Sequence, residues 1–77
     1  MVRVSEILDL RGKPCPGNLP KILVTLEALD AGDILEVILD DMISLDKIPD
    51  AIREEPDYKM LEVEVIGHNI HLFIKIF

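Results

Sequence analysis

Apolar positions along this chain change their spacing several times, and each change marks the border of an element. From Ser5 to Leu10 apolar and polar residues alternate loosely, until Arg11-Gly12-Lys13-Pro14 breaks the pattern and ends a first strand. Leu19, Ile22, Leu23, Leu26 and Leu29 then recur at helical spacing, with Lys21, Thr25 and Glu27 mostly on other faces of the wheel. This stripe predicts a first helix from near Pro16 or Asn18 to about Ala31, stopped by Gly32. Ile34 to Leu39 is an aliphatic run broken only by Glu36 and rich in β-branched residues, the signature of a strand covered on both faces. Beyond Asp40 and Asp41, a second stripe comprises Ile43, Leu45, Ile48, Ala51 and Ile52. Asp46 suits an N-cap and Pro49 suits only a first turn, so helix two is expected over about Lys47 to Glu55, ended by Pro56 and Asp57. Tyr58 to Ile66 and Ile70 to Phe77 alternate with period two around Gly67-His68-Asn69, which predicts a β-hairpin.

The order β-α-β-α-β-β, without repeat or linker, predicts one domain over residues 1–77. A strand, helix, strand unit prefers a right-handed crossover between parallel strands. The expected fold is therefore α+β, a two-layer α/β sandwich with a mixed four-stranded sheet and both helices on one face. Leu35, Val37, Leu39, Leu61, Val63, Val65, Ile70, Leu72, Ile74 and Ile76 should face the helices. Glu36, Ile38, Glu62, Glu64, His71, Phe73, Lys75 and Phe77 should form an open face, either solvated or a partner surface.

Charge and composition narrow the function. The 77 residues carry a formal net charge of −7, with no Trp, one Tyr and two Phe. Such a chain repels phosphate backbones and offers bases little to stack on, which argues against direct nucleic-acid binding. No stretch approaches the roughly 20 apolar residues of a membrane span, and Arg3, Glu6 and Asp9 interrupt any signal-peptide core. A cytoplasmic location is expected, consistent with a single cysteine that cannot form an internal disulfide. One Cys and two His close together near the C-terminus give no zinc spacing, so neither metal nor cofactor is expected.

The remaining chemistry is that of Cys15. Pro14 and Pro16 restrict the backbone on both sides of it. If Pro16 is the first helical residue, Cys15 is the N-cap, where free amide donors and the helix dipole favour a thiolate. Arg11 and Lys13 in the same loop would add positive potential and lower the thiol's pKa further. Pro20 would then occupy the fifth helical position at the expense of a backbone hydrogen bond. If Asn18 is the N-cap instead, Pro20 fits the first turn and Cys15 sits on the preceding loop with less of the dipole's field. His68 and His71 are far along the chain and read as surface histidines, not as partners of a Cys-His dyad. If strands one and two are parallel, Asp40 and Asp41 share the sheet edge of the Cys15 loop, either as a docking rim or as caps of helix two. A carboxylate close to the sulfur would oppose the thiolate.

Leu8-Asp9-Leu10-Arg11-Gly12, then Cys15-Pro16-Gly17, Gly32-Asp33, Asp40-Asp41 and Ile48-Pro49 resemble, in order and spacing, the TusA/SirA family of small sulfur-carrier proteins. The resemblance covers essentially the whole chain and implies the same β-α-β-α-β-β sandwich. The family's Cys-Pro-x-Pro motif falls on Cys15-Pro16-Gly17-Asn18, with Asn18 in place of the second proline. It implies that Cys15 accepts sulfur as a persulfide from a cysteine desulfurase or another donor protein. The sulfur would then pass to an acceptor protein, for tRNA thiolation or related sulfur metabolism. The alternative is a non-catalytic interaction or redox-regulatory module in which Cys15 is structural.

Overall fold

The computed structural model describes residues 3–13 and 17–77. Its elements are β1 (Glu6–Asp9), α1 (Asn18–Ala28), β2 (Ile34–Leu39), α2 (Met42–Arg53), β3 (Tyr58–Ile66) and β4 (Asn69–Ile76). The strands form one four-stranded sheet in the order β1-β2-β4-β3. β1 runs parallel to β2, while β4 is antiparallel to both β2 and β3. The α+β architecture is the expected one, a mixed sheet with two helices. Leu35, Val37 and Leu39 of β2 and Ile70, Leu72, Ile74 and Ile76 of β4 are buried in one cluster with Ile22, Leu26, Ile48 and Ile52 of the helices. Alternate strand residues point to one face, so both helices cover the same side.

The hairpin is tighter than expected. Ile66 pairs with Asn69, leaving a two-residue loop, Gly67-His68, in which Gly67 has φ +61°. A positive φ at the first loop position is the type II′ pattern that matches strand twist. The inward face of β3 also differs from the expectation, because the register shifts between Met60 and Glu62. Leu61 is the extra residue of this bulge. Tyr58 and Met60 therefore pack on the core beside Val63, while Leu61 does not, and Val65 is half-exposed near the strand's end.

Both helices depart from their predicted borders. α1 ends at Ala28, with Leu29 extended at ψ 162°, and not near Ala31. The Asp33 carboxylate accepts the Asp30 N–H at 2.9 Å, and Asp33 N–H donates to the Asp30 carbonyl at 3.0 Å. A β-turn thus replaces the last helical turn, and Gly32, at φ +91°, supplies its left-handed residue. α2 starts at Met42 because Asp41, not Asp46, is its N-cap, with its side chain accepting the Ile43 N–H at 3.0 Å. Pro49 consequently lies in the helix interior, and Ile43, counted in the apolar stripe, is exposed. An interior proline costs about 3 kcal/mol. Complete burial of Ile48 and Ile52, worth roughly 1.5–3 kcal/mol each, offsets that cost.

Candidate functional site

Pro14, Cys15 and Pro16 lie outside the described residues, so the site is built from the residues that flank them. Upstream, β1 delivers the chain to the edge of the sheet where β2 also ends, since Asp9 pairs with Ile38. The Leu10 N–H continues the ladder to the Ile38 carbonyl at 2.8 Å, and Lys13 N–H closes a turn on the Leu10 carbonyl at 3.1 Å. Between them Gly12 has φ +82°, which a side chain would disfavour. Its N–H donates to both oxygens of the Asp40 carboxylate, at 2.9 and 3.0 Å. Asp40 thereby ties the end of β2 to the turn three residues before Cys15.

Arg11 is held by Asp9. Its Nε donates to Oδ1 at 2.9 Å and its Nη2 to Oδ2 at 2.7 Å, while its backbone N–H also donates to Oδ1, at 3.1 Å. The side-chain bonds, reinforced by the backbone bond, bring the Asp9 carboxyl down to about 2. The positive potential expected from Arg11 is therefore largely matched by a carboxylate. Lys13 is exposed. Asp9 escaped the sequence reading, although an aspartate two residues before an amide it can accept is a recognised turn signal.

Downstream, α1 begins at Asn18, one of the two starts expected, but its N-cap is Gly17, with no side-chain capping bond, and not Asn18; the alternative with Cys15 as cap and Pro16 as first residue lies outside the described residues. Cys15 is two residues before the cap. Pro20 is the third helical residue, where its missing N–H costs nothing. The first turn contains no acidic residue, which leaves its amide donors and positive dipole end uncompensated by a local carboxylate. Asn18 is fully buried, and neither its carboxamide nitrogen nor its oxygen has a hydrogen-bond partner among the described residues.

A shallow, open polar depression beside the ends of β1 and β2 is lined by Asp9, Arg11, Gly12, Asp40 and Asn69. Asn69 belongs to the hairpin, which reaches this edge because Leu39 pairs with Ile70. The turn residue His68 is therefore at the same end of the sheet as Gly12, a proximity that chain separation concealed. His71 is engaged elsewhere, its Nδ1 lying 2.9 Å from Glu36 Oε2 on the open face. Among the described residues no group of three or more His, Cys, Asp or Glu side chains is placed to hold a metal ion. No helix is long and apolar enough to cross a membrane.

Residues 6–76 of this sequence match the family model described as Sulfurtransferase TusA. The chain belongs to the TusA family. Two relatives bear the name "Putative sulfur carrier protein". The one from Archaeoglobus fulgidus is 32% identical over 86% of this chain and 74% of its own length. The one from Thermotoga maritima is 32% identical over 84% of this chain and 81% of its own length. A relative in Escherichia coli K12, YedF, carries the same description and is 34% identical over 88% of this chain and 87% of its own length. Membership of this sulfur-carrier family implies dealings with sulfur-donating and sulfur-accepting proteins.

Proposed function

We propose that this TusA-family protein is a persulfide relay in which Cys15 takes sulfane sulfur from a donor protein, such as a cysteine desulfurase, and hands it to an acceptor. The Cys15 thiolate attacks the outer sulfur of the donor's persulfide. The donor's S–S bond breaks, its cysteine leaves as a thiolate, and the outer sulfur keeps its proton on Cys15, so no external oxidant or reductant is needed. Delivery to tRNA thiolation or a related pathway in the cytoplasm completes the reading. In it Cys15 is the carrier, Pro14 and Pro16 stiffen its segment, Gly17 leads it into α1 as the N-cap, and Arg11, Lys13 and Asn18 support it from either side. Asp40 and Asp41 form the rim.

The observation that supports it most is the family match, which spans residues 6–76 and so includes Cys15-Pro16. The uncapped start of α1 and exposed Lys13 favour a thiolate. The test is intact mass after incubation with a cysteine desulfurase and cysteine, without reductant. One added sulfur atom on the wild type, absent from Cys15→Ser, is expected. No adduct, or the same adduct on Cys15→Ser, overturns the proposal, and a reductant-sensitive dimer in its place points to redox regulation.

A further inference from the structure

The outermost strand of a sheet carries a row of backbone donors and acceptors that no neighbouring strand satisfies. In the order β1-β2-β4-β3 the edges are β1, of four residues, and β3, of nine. Two pairings show which groups of β3 lie on its open side. Phe77 N–H donates to the Asp57 carbonyl at 3.0 Å, and Ile66 pairs with Asn69 to close the two-residue turn, so Asp57 and Ile66 turn their backbone groups toward β4. Backbone direction alternates along a strand, and the bulge at Leu61 shifts the alternation by one residue. Tyr58, Met60, Val63 and Val65 therefore turn N–H and C=O toward the open side, and none of these groups has another backbone partner among the described residues. The same four residues pair with Ile76, Ile74, Leu72 and Ile70, so their side chains are on the core face of the sheet. Lys59 and Glu64, paired with Lys75 and His71, are on the other face.

We infer that β3 pairs with β3 of a second copy of this chain, antiparallel about a two-fold axis between Leu61 and Glu62, joining two sheets into one. Tyr58 then lies opposite Val65 of the second copy, and Met60 opposite its Val63. These are the residues whose backbone groups point outward, so each pair exchanges both hydrogen bonds, roughly eight across the seam, and the side chains continue the core from one copy to the next. Lys59 lies opposite Glu64 of the second copy, in a non-hydrogen-bonded pair, where side chains are closest. Within one chain Lys59 is instead directly opposite Lys75, a like-charge pair, and among the described residues no salt bridge engages Lys59, Lys75 or Glu64. The second copy thus brings a carboxylate to an uncompensated lysine. The bulge selects the partner, because the core-facing positions are even-numbered before Leu61 and odd-numbered after it. A straight strand matches faces on one side of the bulge only, whereas a strand with the same bulge opposite matches on both. β1, which leads to Cys15, is the other edge, three strand spacings away, roughly 14 Å, so the pairing does not depend on the carrier reading.

The experiment is sedimentation equilibrium of the full chain, with reductant to remove any Cys15 disulfide, at about 0.15 M salt to screen the repulsion between two acidic bodies. Protein concentration is raised to about 1 mM, where even a weak association registers. A reversible dimer is expected. Amide exchange at Tyr58, Met60, Val63 and Val65 should slow as concentration rises, while the amides of Lys59 and Glu64, which face β4, change little. Lys59→Glu and Glu64→Lys move the net charge in opposite directions, yet each sets like charges across the seam and should weaken the dimer about tenfold or more. Mixing the two variants sets opposite charges at both positions and should restore it. A wild type that stays monomeric overturns the self-pairing and leaves this edge to a foreign strand. A dimer that leaves those four amides unprotected, single variants that associate like wild type, or a mixture no tighter than either variant alone overturns it as well.

Discussion

The two ends of the sheet are made of different material. Where β1 and β2 finish and β4 begins, the loops are tied to the strands by side chains, Asp40 to Gly12 and Asp9 to Arg11, and exposed aliphatic residues lie beside them. At the opposite end the connections are acidic, with Asp30 and Asp33 after α1 and Glu54, Glu55 and Asp57 after α2. The field there registers on Tyr58. Burial raises its phenol pKa, and Glu27, Asp57 and Glu55 push it the same way. Between the ends both share one aliphatic core. The contrast separates connections that simply close the chain with acidic turns from the one before the motif segment, where side chains tie the turn to the strands.

Substitutions that strike the shared core should erase the contrast. Leu72→Ala, at a fully buried position, is expected to cost about 2–5 kcal/mol in urea unfolding. Removing the cap of α2 at the thiol end should cost less. Asp41→Ala is expected to lose about 1 kcal/mol, with faster amide exchange in the first turn of α2. A subtler change separates geometry from charge. Asp40→Ala frees the Gly12 amide, at a cost of about 1 kcal/mol and with faster exchange at that amide, whereas Asp40→Asn keeps an acceptor and should keep the protection. Equal exchange in all three proteins would show that the tie between Asp40 and Gly12 does not hold the turn. Smallest in stability but clearest in assignment is Asp9. An NMR titration should place its midpoint near 2, and Arg11→Gln should return it toward about 3.9. Since the folded value is depressed, the pair's contribution is present above the unfolded pKa and is lost as pH falls through about 2.

The sequence reveals much of this fold where one local signal dominates. β2 has the predicted limits because its aliphatic run is bracketed by Asp33 and Asp40, and the hairpin is legible from two alternating runs around a glycine. The errors arise where a local rule meets tertiary context. Gly32 looks like a helix stop but serves a separate turn held by Asp33, and Pro49 looks like a first-turn residue but is carried inside α2 by its buried neighbours. Nothing in the alternation of β3 announces the bulge at Leu61, which is a property of pairing with β4. At the site, the motif around Cys15 is plain in one dimension. The bond between Asp40 and Gly12 is not, because it joins residues 28 apart that meet only once β1 and β2 align in parallel.

Carriage differs from mere modification in that the added sulfur must come off again intact. The most direct test loads the protein, removes the donor, and adds cyanide, which takes sulfane sulfur as thiocyanate and leaves the cysteine thiolate behind. One thiocyanate per loaded Cys15, with the mass returning to that of the starting protein, is the predicted result. Sulfur that stays bound, or a thiocyanate yield unchanged in Cys15→Ser, would contradict the account.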